Sequence, residues 1–146
     1  MRFGDTLIFD TGKDGGPKSR VDGFWLFRSK KLFTVALLRF DRGSREAFHS
    51  HAFNSVSWLL TGGLREVVKD YGIESPPSGE LVKLHWPSLR PILTRRSTLH
   101  KVYGLAKTNW VLTFRGPWVD TWQEIDESGD LVTLTHDRVE MDRSAA

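Results

Sequence analysis

The sequence predicts an all-β domain, a sandwich or barrel built from about ten short strands. Short apolar runs recur along the chain, and clusters of Gly, Pro, Asp and Asn separate them. No stretch shows the sustained 3.6-residue period of an amphipathic helix. With 146 residues and no cysteine, the chain fits a single domain that folds without disulfides. We therefore expect one β domain that buries its own aliphatic and aromatic residues.

Six strands are predicted in the N-terminal half of the chain. Residues 11–23 are rich in Gly, Lys and Asp and contain Pro17, a composition typical of a mobile loop. Residues 41–44 (Asp-Arg-Gly-Ser) predict a turn, and residues 61–63 (Thr-Gly-Gly) predict a tight one. The predicted strands are residues 6–9, 24–27, 32–40, 48–51, 56–60 and 64–68.

The C-terminal half predicts six more strands after a loop at residues 71–80, which holds two prolines and two glycines. The last residues, 137–146, are polar and predict a tail that frays. One domain over residues 1–146 is expected, with a strand and mobile loop in residues 1–23. The predicted strands are residues 81–86, 92–96, 99–103, 110–114, 118–124 and 131–135.

The charge and hydropathy of the chain disfavour two classes of partner. The formal net charge is only +3, and the basic residues fall in short clusters rather than on a continuous face, which disfavours nucleic acid. No apolar run approaches the ~18 residues of a membrane span, and the N-terminus lacks a signal-peptide core. A cytoplasmic protein with no membrane partner is expected.

Three histidines form the constellation that carries chemistry. Side chains alternate along a strand, so His49 and His51 of the sequence His-Ser-His face the same way. A third imidazole from a neighbouring strand, His100, completes a three-histidine metal site with room for water or substrate. The sequence therefore predicts a metal pocket.

The same residues resemble the cupin superfamily. Its first motif places two histidines one residue apart on a strand, followed by a glycine in a tight turn, and His49, His51 and Gly62 match this spacing. Its second motif places one histidine on a later strand, where His100 lies. The likeness spans residues 39–114 and implies a cupin-type double-stranded β-helix, the jelly-roll barrel.

The chain departs from the cupin motifs at several positions. The glutamate of the first motif falls near Ser55, and no carboxylate lies between His51 and Gly62. The Pro, Gly and Asn positions that flank the second histidine hold Arg95, Ser97 and Gly104. The ligand set that the resemblance implies is therefore three histidines without a carboxylate.

That ligand set is similar to the set in the thiol and diketone dioxygenases among cupins, which use ferrous iron. The resemblance implies one divalent metal ion, iron for an oxygenase, or zinc, nickel or manganese, together with a small-molecule ligand or substrate. Two alternatives stay open. One is a non-catalytic small-ligand or sugar-binding cupin, and the other is a metal-independent sugar-nucleotide isomerase or epimerase. Cupins often dimerise through N-terminal strands, which makes a homodimer possible here.

Several polar residues are candidates for supporting roles around the ion. Asn54 and Ser55 could hydrogen-bond a ligating imidazole or metal-bound water, as outer-shell groups do. His85 is expected at the surface or as a polar wall of the pocket, and Tyr103 is a candidate pocket residue. Glu46 is a carboxylate within reach of the site.

Arginines provide a further possibility, because a guanidinium binds a carboxylate or phosphate in a bidentate way. His136, near the C-terminus, is expected to be exposed. The arginines considered for a ligand anion are Arg39, Arg65 and Arg115.

Overall fold

The computed structural model describes residues 1–44, 47–69 and 79–146, and these ranges are all β. In them, no helix has the length and apolar character that crossing a membrane requires. The predicted loop at residues 71–80 lies almost wholly outside the described residues. The strands are β1 (Arg2–Phe3), β2 (Thr6–Lys13), β3 (Val21–Ser29), β4 (Thr34–Ser44), β5 (Ser55–Thr61), β6 (Leu64–Lys69), β7 (Glu80–His85), β8 (Ile92–Thr94), β9 (Leu99–Arg115), β10 (Thr121–Ile125), β11 (Asp130–Thr135) and β12 (Glu140–Ala145).

Strand β9 organises the larger sheet. One edge of β9 pairs antiparallel with β4 through residues 103–104 and 108–115, and its other edge is shared by two partners. Residues 99–104 pair with β6, and residues 110–115 pair with β5. From β9 the sheet continues through β4, β3, β2 and β1 on one side and through β5 to β8 on the other, with β7 against β6.

The junction between the β6-paired and β5-paired parts of β9 is held by one buried amide, Asn109. This side chain has no exposed surface. Its Oδ1 accepts hydrogen bonds from the backbone N–H groups of Gly63 and Ala106, and its Nδ2 donates to the carbonyls of Phe40 and Ala106. Gly62 leaves the space that the amide occupies, since a Cβ there would overlap it. The predicted tight turn thus fits against β9 through Asn109.

The loop predicted at residues 11–23 is confirmed at its centre and wrong at both ends, which belong to strands. Strands β2 and β3 run through it as a hairpin, and only residues 14–20, the β2–β3 loop, connect them. Gly12 and Gly23 pair across this hairpin, and the Trp25 ring covers both, so that a Cβ on Gly23 would lie 2.7 Å from it. These glycines make room for an aromatic ring within strands, where a ring can substitute for the missing side chain.

Other boundaries also differ from the predictions. Residues 41–44 continue β4 through a bulge, in which Gly43 has a φ of 107°, instead of forming a turn. The two strands predicted over 99–114 are the single strand β9. Residues 48–51 form an isolated bridge at His49 rather than a regular strand.

The predicted polar tail at residues 137–146 is wrong, because residues 140–145 form β12. This strand pairs with β11 and completes a three-stranded sheet with β10. Its side chains are exposed, and Arg143 bonds Asp126, Asp130 and Glu140. β12 is an edge strand with exposed charged side chains, and its composition therefore resembles that of a polar tail.

The core is built on strands β3, β4, β5, β6 and β9 of the larger sheet. Its apolar side chains come from positions that alternate with outward-facing ones, as a half-buried sheet requires. Its buried residues are Val21, Trp25, Ala36, Leu38, Leu59, Leu64 and Val111, against which Phe40, Ile92 and Val102 pack.

Candidate metal centre

The segment that carries His49 and His51, residues 49–52, lies between the start of β9 and β10. His49 exchanges two backbone hydrogen bonds with His100, at 2.9 and 3.0 Å. On the other side, Ser50 N–H donates to the Gln123 carbonyl at 2.8 Å, and Val119 N–H donates to the Ala52 carbonyl at 2.7 Å. These bonds hold the segment as a strand-like piece that bridges the two sheets.

His49, His51 and His100 form a nearly equilateral triangle of imidazoles. The ring centroids are 5.1 Å apart for His49 and His51, and 5.0 Å apart for each of the other two pairs. One ligand nitrogen from each ring lies within 4.8 Å of the others. His49 and His100 are 5% and 4% exposed, and His51 is half-buried. Three nitrogens at this separation suit a single ion in the middle, since metal–imidazole bonds are about 2 Å long.

A carboxylate behind His100 fixes its orientation. His100 Nδ1 donates to Glu66 Oε2 at 2.6 Å, which turns Nε2 of the same ring away from the glutamate. Within the described chain, His100 Nε2 is buried and makes no hydrogen bond. A donating Nδ1 leaves the lone pair on Nε2, the arrangement in which a carboxylate orients a ligating histidine. An ion among the three rings fits this orphaned nitrogen.

Glu66 is shared between two histidines. His85 Nε2 lies 3.2 Å from the second oxygen, Oε1, and the Glu66 side chain is 8% exposed. Burial by itself would raise the pKa of Glu66, but the hydrogen bonds with His100 and His85 outweigh burial and hold the pKa well below its usual range. Glu66 is therefore an anion at neutral pH.

The imidazole of His49 is held from its own segment. Its Nδ1 lies 3.3 Å from the Ala47 carbonyl, which accepts when Nδ1 carries the proton. That tautomer leaves the lone pair of the ring on Nε2, where it can bind an ion. The donor set is thus three neutral imidazoles without a carboxylate, which suits iron, zinc, nickel or copper better than magnesium or calcium.

The three histidines line a cavity of about 290 Å³. Aliphatic side chains of the core form one part of its wall, and Phe53, Trp118 and Trp122 form another. The β2–β3 loop and the turn between β11 and β12, which approach each other at Gly16 and Arg138, also contribute lining residues. The cavity is therefore a small, mainly apolar chamber with polar groups converging at a few points, which is the usual character of a ligand site.

The structure brings some of the predicted supporting residues to this cavity and not others. Ser55 and His85 line it. Asn54 is exposed and accepts a hydrogen bond from the Arg96 backbone N–H at 2.8 Å. Tyr103 lies outside the cavity lining, with the Arg65 guanidinium 5.4 Å from its ring. Asn54 and Tyr103 thus lie outside the cavity lining.

The remaining sequence candidates fall in three different places. Glu46 lies outside the described residues. Arg39 pairs with Asp22 on the β3–β4 surface. Arg115 lines the cavity and binds both carboxylate oxygens of Asp14, at 3.0 and 2.7 Å.

Sequence reasoning missed Glu66, and it took His136 for an exposed residue. The alternation of Leu64-Arg65-Glu66 puts Glu66 on the same face as a core leucine, which was an available signal for a buried carboxylate. His136 is half-buried and lines the cavity, because β12 returns along β11 and turns the segment inward. Since β12 is not predicted from the sequence, no sequence pattern indicates that His136 lies at the cavity.

No protein-family model matches the chain, and no curated protein matches it. Solved structures do match. A cupin-2 domain protein of Rhodospirillum rubrum superposes with a TM-score of 0.57 at 15% identity, covering 88% of this chain and 81% of that one. An RmlC-like cupin of Shewanella frigidimarina superposes with a TM-score of 0.52 at 17% identity, covering 80% and 88% of the two chains. KdgF of a Halomonas species has a TM-score of 0.51 at 13% identity, over 74% and 87%. At these identities the likeness concerns the fold.

Proposed function

The chain has the cupin fold, as its sequence predicts, and on that premise we propose that it is a metal-dependent dioxygenase acting on a small molecule. In this proposal His49, His51 and His100 bind one ferrous ion. The observation that carries it is the triangle of imidazole nitrogens, within 4.8 Å of one another, on the wall of a mainly apolar cavity. Fold alone does not decide function, so the proposal depends on this site.

The chemistry of the donor set supports this reading. Three neutral imidazoles would leave the ion its full charge, and a set of only three protein ligands would leave it open to further ligands. A ferrous ion would supply the redox chemistry, and a dioxygenase places both oxygen atoms in its product and needs no external reductant. Glu66 would hold His100 in the ligating tautomer, and the apolar wall would exclude water from reactive species.

One experiment tests the metal site and the reaction together. Untagged protein is purified, reconstituted anaerobically with Fe(II), and analysed for metal content beside His49→Ala and His100→Ala. Lys107→Gln is the control, because Lys107 is exposed and away from the cavity lining. We expect near-stoichiometric iron in wild type and control, little in the histidine variants, and oxygen uptake with members of a panel of small thiols and diketones. Full iron occupancy in the histidine variants would refute the site.

A second function has a specific observation in its favour. His100 and Glu66 form a hydrogen-bonded histidine–carboxylate pair at the cavity, which is the arrangement of a general base with its orienting group. The pair would suit a metal-independent sugar-nucleotide isomerase or epimerase. The described lining contains no tyrosine to act as the acid, and a cavity of about 290 Å³ is small for a nucleotide sugar. Turnover of such a substrate in the presence of a chelator would favour this function over the dioxygenase.

A further inference from the structure

The turn between β11 and β12 holds an arginine where the backbone favours glycine. Arg138 has a φ of 61°, in the left-handed region. Its N–H donates to the Thr135 carbonyl at 2.9 Å, and Thr135 N–H donates to the Val139 carbonyl at 3.0 Å, which closes a three-residue hairpin loop. The third residue of such a loop is commonly glycine, since a side chain there carries a backbone cost. A strained residue beside a cavity points to a use for its side chain.

The Arg138 side chain lies at the cavity. Its guanidinium stacks over the Trp122 ring at 5.1 Å, and Nη2 donates to the two Glu124 oxygens at 3.4 and 3.2 Å. Both of these hydrogen bonds use Nη2, so Nη1 and Nε keep donors for a second partner. Nη1 is directed towards the β2–β3 loop, 3.8 Å from the place of a Cβ on Gly16.

His136, from the same turn, lines the cavity beside an aromatic wall. Ring centroids follow one another at 5.0 Å from His51 to Phe53, 5.1 Å from Phe53 to Trp118 and 5.1 Å from Trp118 to His136. Among the described residues, His136 Nδ1 and Trp118 Nε1 are buried without a hydrogen-bond partner. A buried polar atom left unpaired costs stability, so both nitrogens favour a polar ligand atom at this end of the wall.

With a divalent ion bound at the three histidines, the charge of the cavity would favour an anion. Three arginines and three carboxylates line it, so its fixed side-chain charges cancel. A divalent ion held by three neutral imidazoles would add two positive charges without compensation, and a cavity of one sign attracts ligands of the other. The lining residues with charge are Asp14, Arg20, Asp41, Glu66, Arg115 and Arg138.

We propose that the ligand of this cavity is a small organic carboxylate with a flat, apolar body, and that the β11–β12 turn recognises its carboxylate. Arg138 and His136 bind the carboxylate at the mouth, and the body packs along Phe53 and Trp118 towards the histidine triangle. The inference rests on the proposed metal site, because the ion supplies the net positive charge.

The test uses benzoate as probe and benzamide as its uncharged counterpart of the same shape. Binding to zinc-loaded protein is measured by titration calorimetry, and metal content is measured on the same samples. The decisive variant is Arg138→Gly, which removes the guanidinium and suits the left-handed backbone, so the fold is kept. Lys107→Gln is the control for a change of one charge. The indole N–H signal of Trp118, assigned through Trp118→Phe, locates the probe.

We expect wild type and Lys107→Gln to bind benzoate with a shift of the Trp118 signal. Arg138→Gly should bind it about 10- to 100-fold more weakly with unchanged zinc content, since a hydrogen bond to a charged group is lost. Equal affinity for benzamide, absence of benzoate binding to zinc-loaded protein, or unchanged affinity in Arg138→Gly would overturn the inference. If no sample, wild type included, binds zinc, the proposed metal site is refuted instead. The metal analysis distinguishes this outcome from a failure to bind benzoate.

Discussion

Glu66 and His100 lie diagonally across the β6–β9 pair, and a hydrogen bond of 2.6 Å joins the Glu66 carboxylate to His100 Nδ1. In the register of this pair Glu66 is opposite Val102, and His100 is opposite Val68. Diagonal neighbours on one face of a sheet are within reach of long side chains. The inward face of β6 thus places a carboxylate against His100, a candidate metal ligand from a distant part of the sequence.

Removing the Glu66 charge should weaken metal binding while the fold is kept. Glu66→Gln retains the shape of the side chain but loses the carboxylate that holds His100 in its ligating tautomer. We expect the affinity for zinc to fall about 10- to 100-fold, as for other outer-shell partners of metal ligands. Competition with a chromogenic chelator measures the change. The exposed Glu127→Gln is the control, and equal affinities for the two variants would contradict the role of Glu66.

Loss of the Asn109 amide should destabilise the domain strongly. Asn109→Ala leaves buried backbone donors at Gly63 and Ala106 and an acceptor at Phe40 without their partner. We expect the free energy of unfolding to fall by about 3 kcal/mol, measured by urea denaturation. Asn54→Ala, which removes one hydrogen bond of an exposed side chain, should cost about 1 kcal/mol or less. Similar losses for both variants would be inconsistent with the anchoring role of Asn109.

The ion pair between Asp14 and Arg115 should fix the β2–β3 loop to the end of β9. Arg115 is 6% exposed, and its guanidinium also lies 4.7 Å from the centre of the Phe53 ring. A double-mutant cycle with Asp14→Asn and Arg115→Gln, read out by chemical denaturation, should give a coupling energy of about 1 to 2 kcal/mol. A coupling energy near zero would show that the two residues stabilise the fold independently.

Acid should loosen β12 before the rest of the domain. Hydrogen bonds from Ser128 and Arg143 lower the pKa of Asp126 from 3.8 to about 2, and Arg143 also lowers the pKa of Glu140. A carboxyl group with a depressed folded-state pKa stabilises above its unfolded pKa, and this contribution is lost as the pH falls towards 2.

The NMR signals of the β12 amides, followed between pH 5 and pH 2, measure this loss. The titration is repeated at ~5 °C intervals of temperature below unfolding. We expect the signals of residues 140–145 to broaden or move to disordered positions first. In Arg143→Gln the same change should occur at higher pH, because Asp126 and Glu140 lose the cation that holds their pKa values down. β12 signals that stay unchanged down to pH 2 would refute this dependence.

The histidine spacing and the alternation of apolar residues predict much of the fold and the site, because both depend on local geometry. His49 and His51 share a face through a two-residue period, and β5, β6 and β11 follow alternating sequences. Contacts that depend on the register between two strands cannot be predicted in this way. That Glu66 contacts His100 depends on how β6 slides along β9, and that 140–145 is a strand depends on the ion pairs of Arg143 with the preceding hairpin.

Glycines misled the N-terminal prediction for a comparable reason. Gly12 and Gly23 are typical of loops as single residues, yet they are a cross-strand pair beneath the ring of Trp25. The ring reaches Gly12 only because the hairpin has formed, since Gly12 lies on β2 and Trp25 on β3. The glycine content of this region therefore predicts a flexible loop, whereas packing against Trp25 makes both glycines part of strands.

The many partners of β9 bear on how the chain acquires its fold during synthesis. Strands β4, β5 and β6 all pair with β9, so they remain without their main partner until Arg115 has left the ribosome. Such sequence-distant pairing makes folding slow compared with helical domains, and it leaves strand edges open to other nascent chains meanwhile. Between the emergence of β6 and that of β9, three strands thus wait for the same partner.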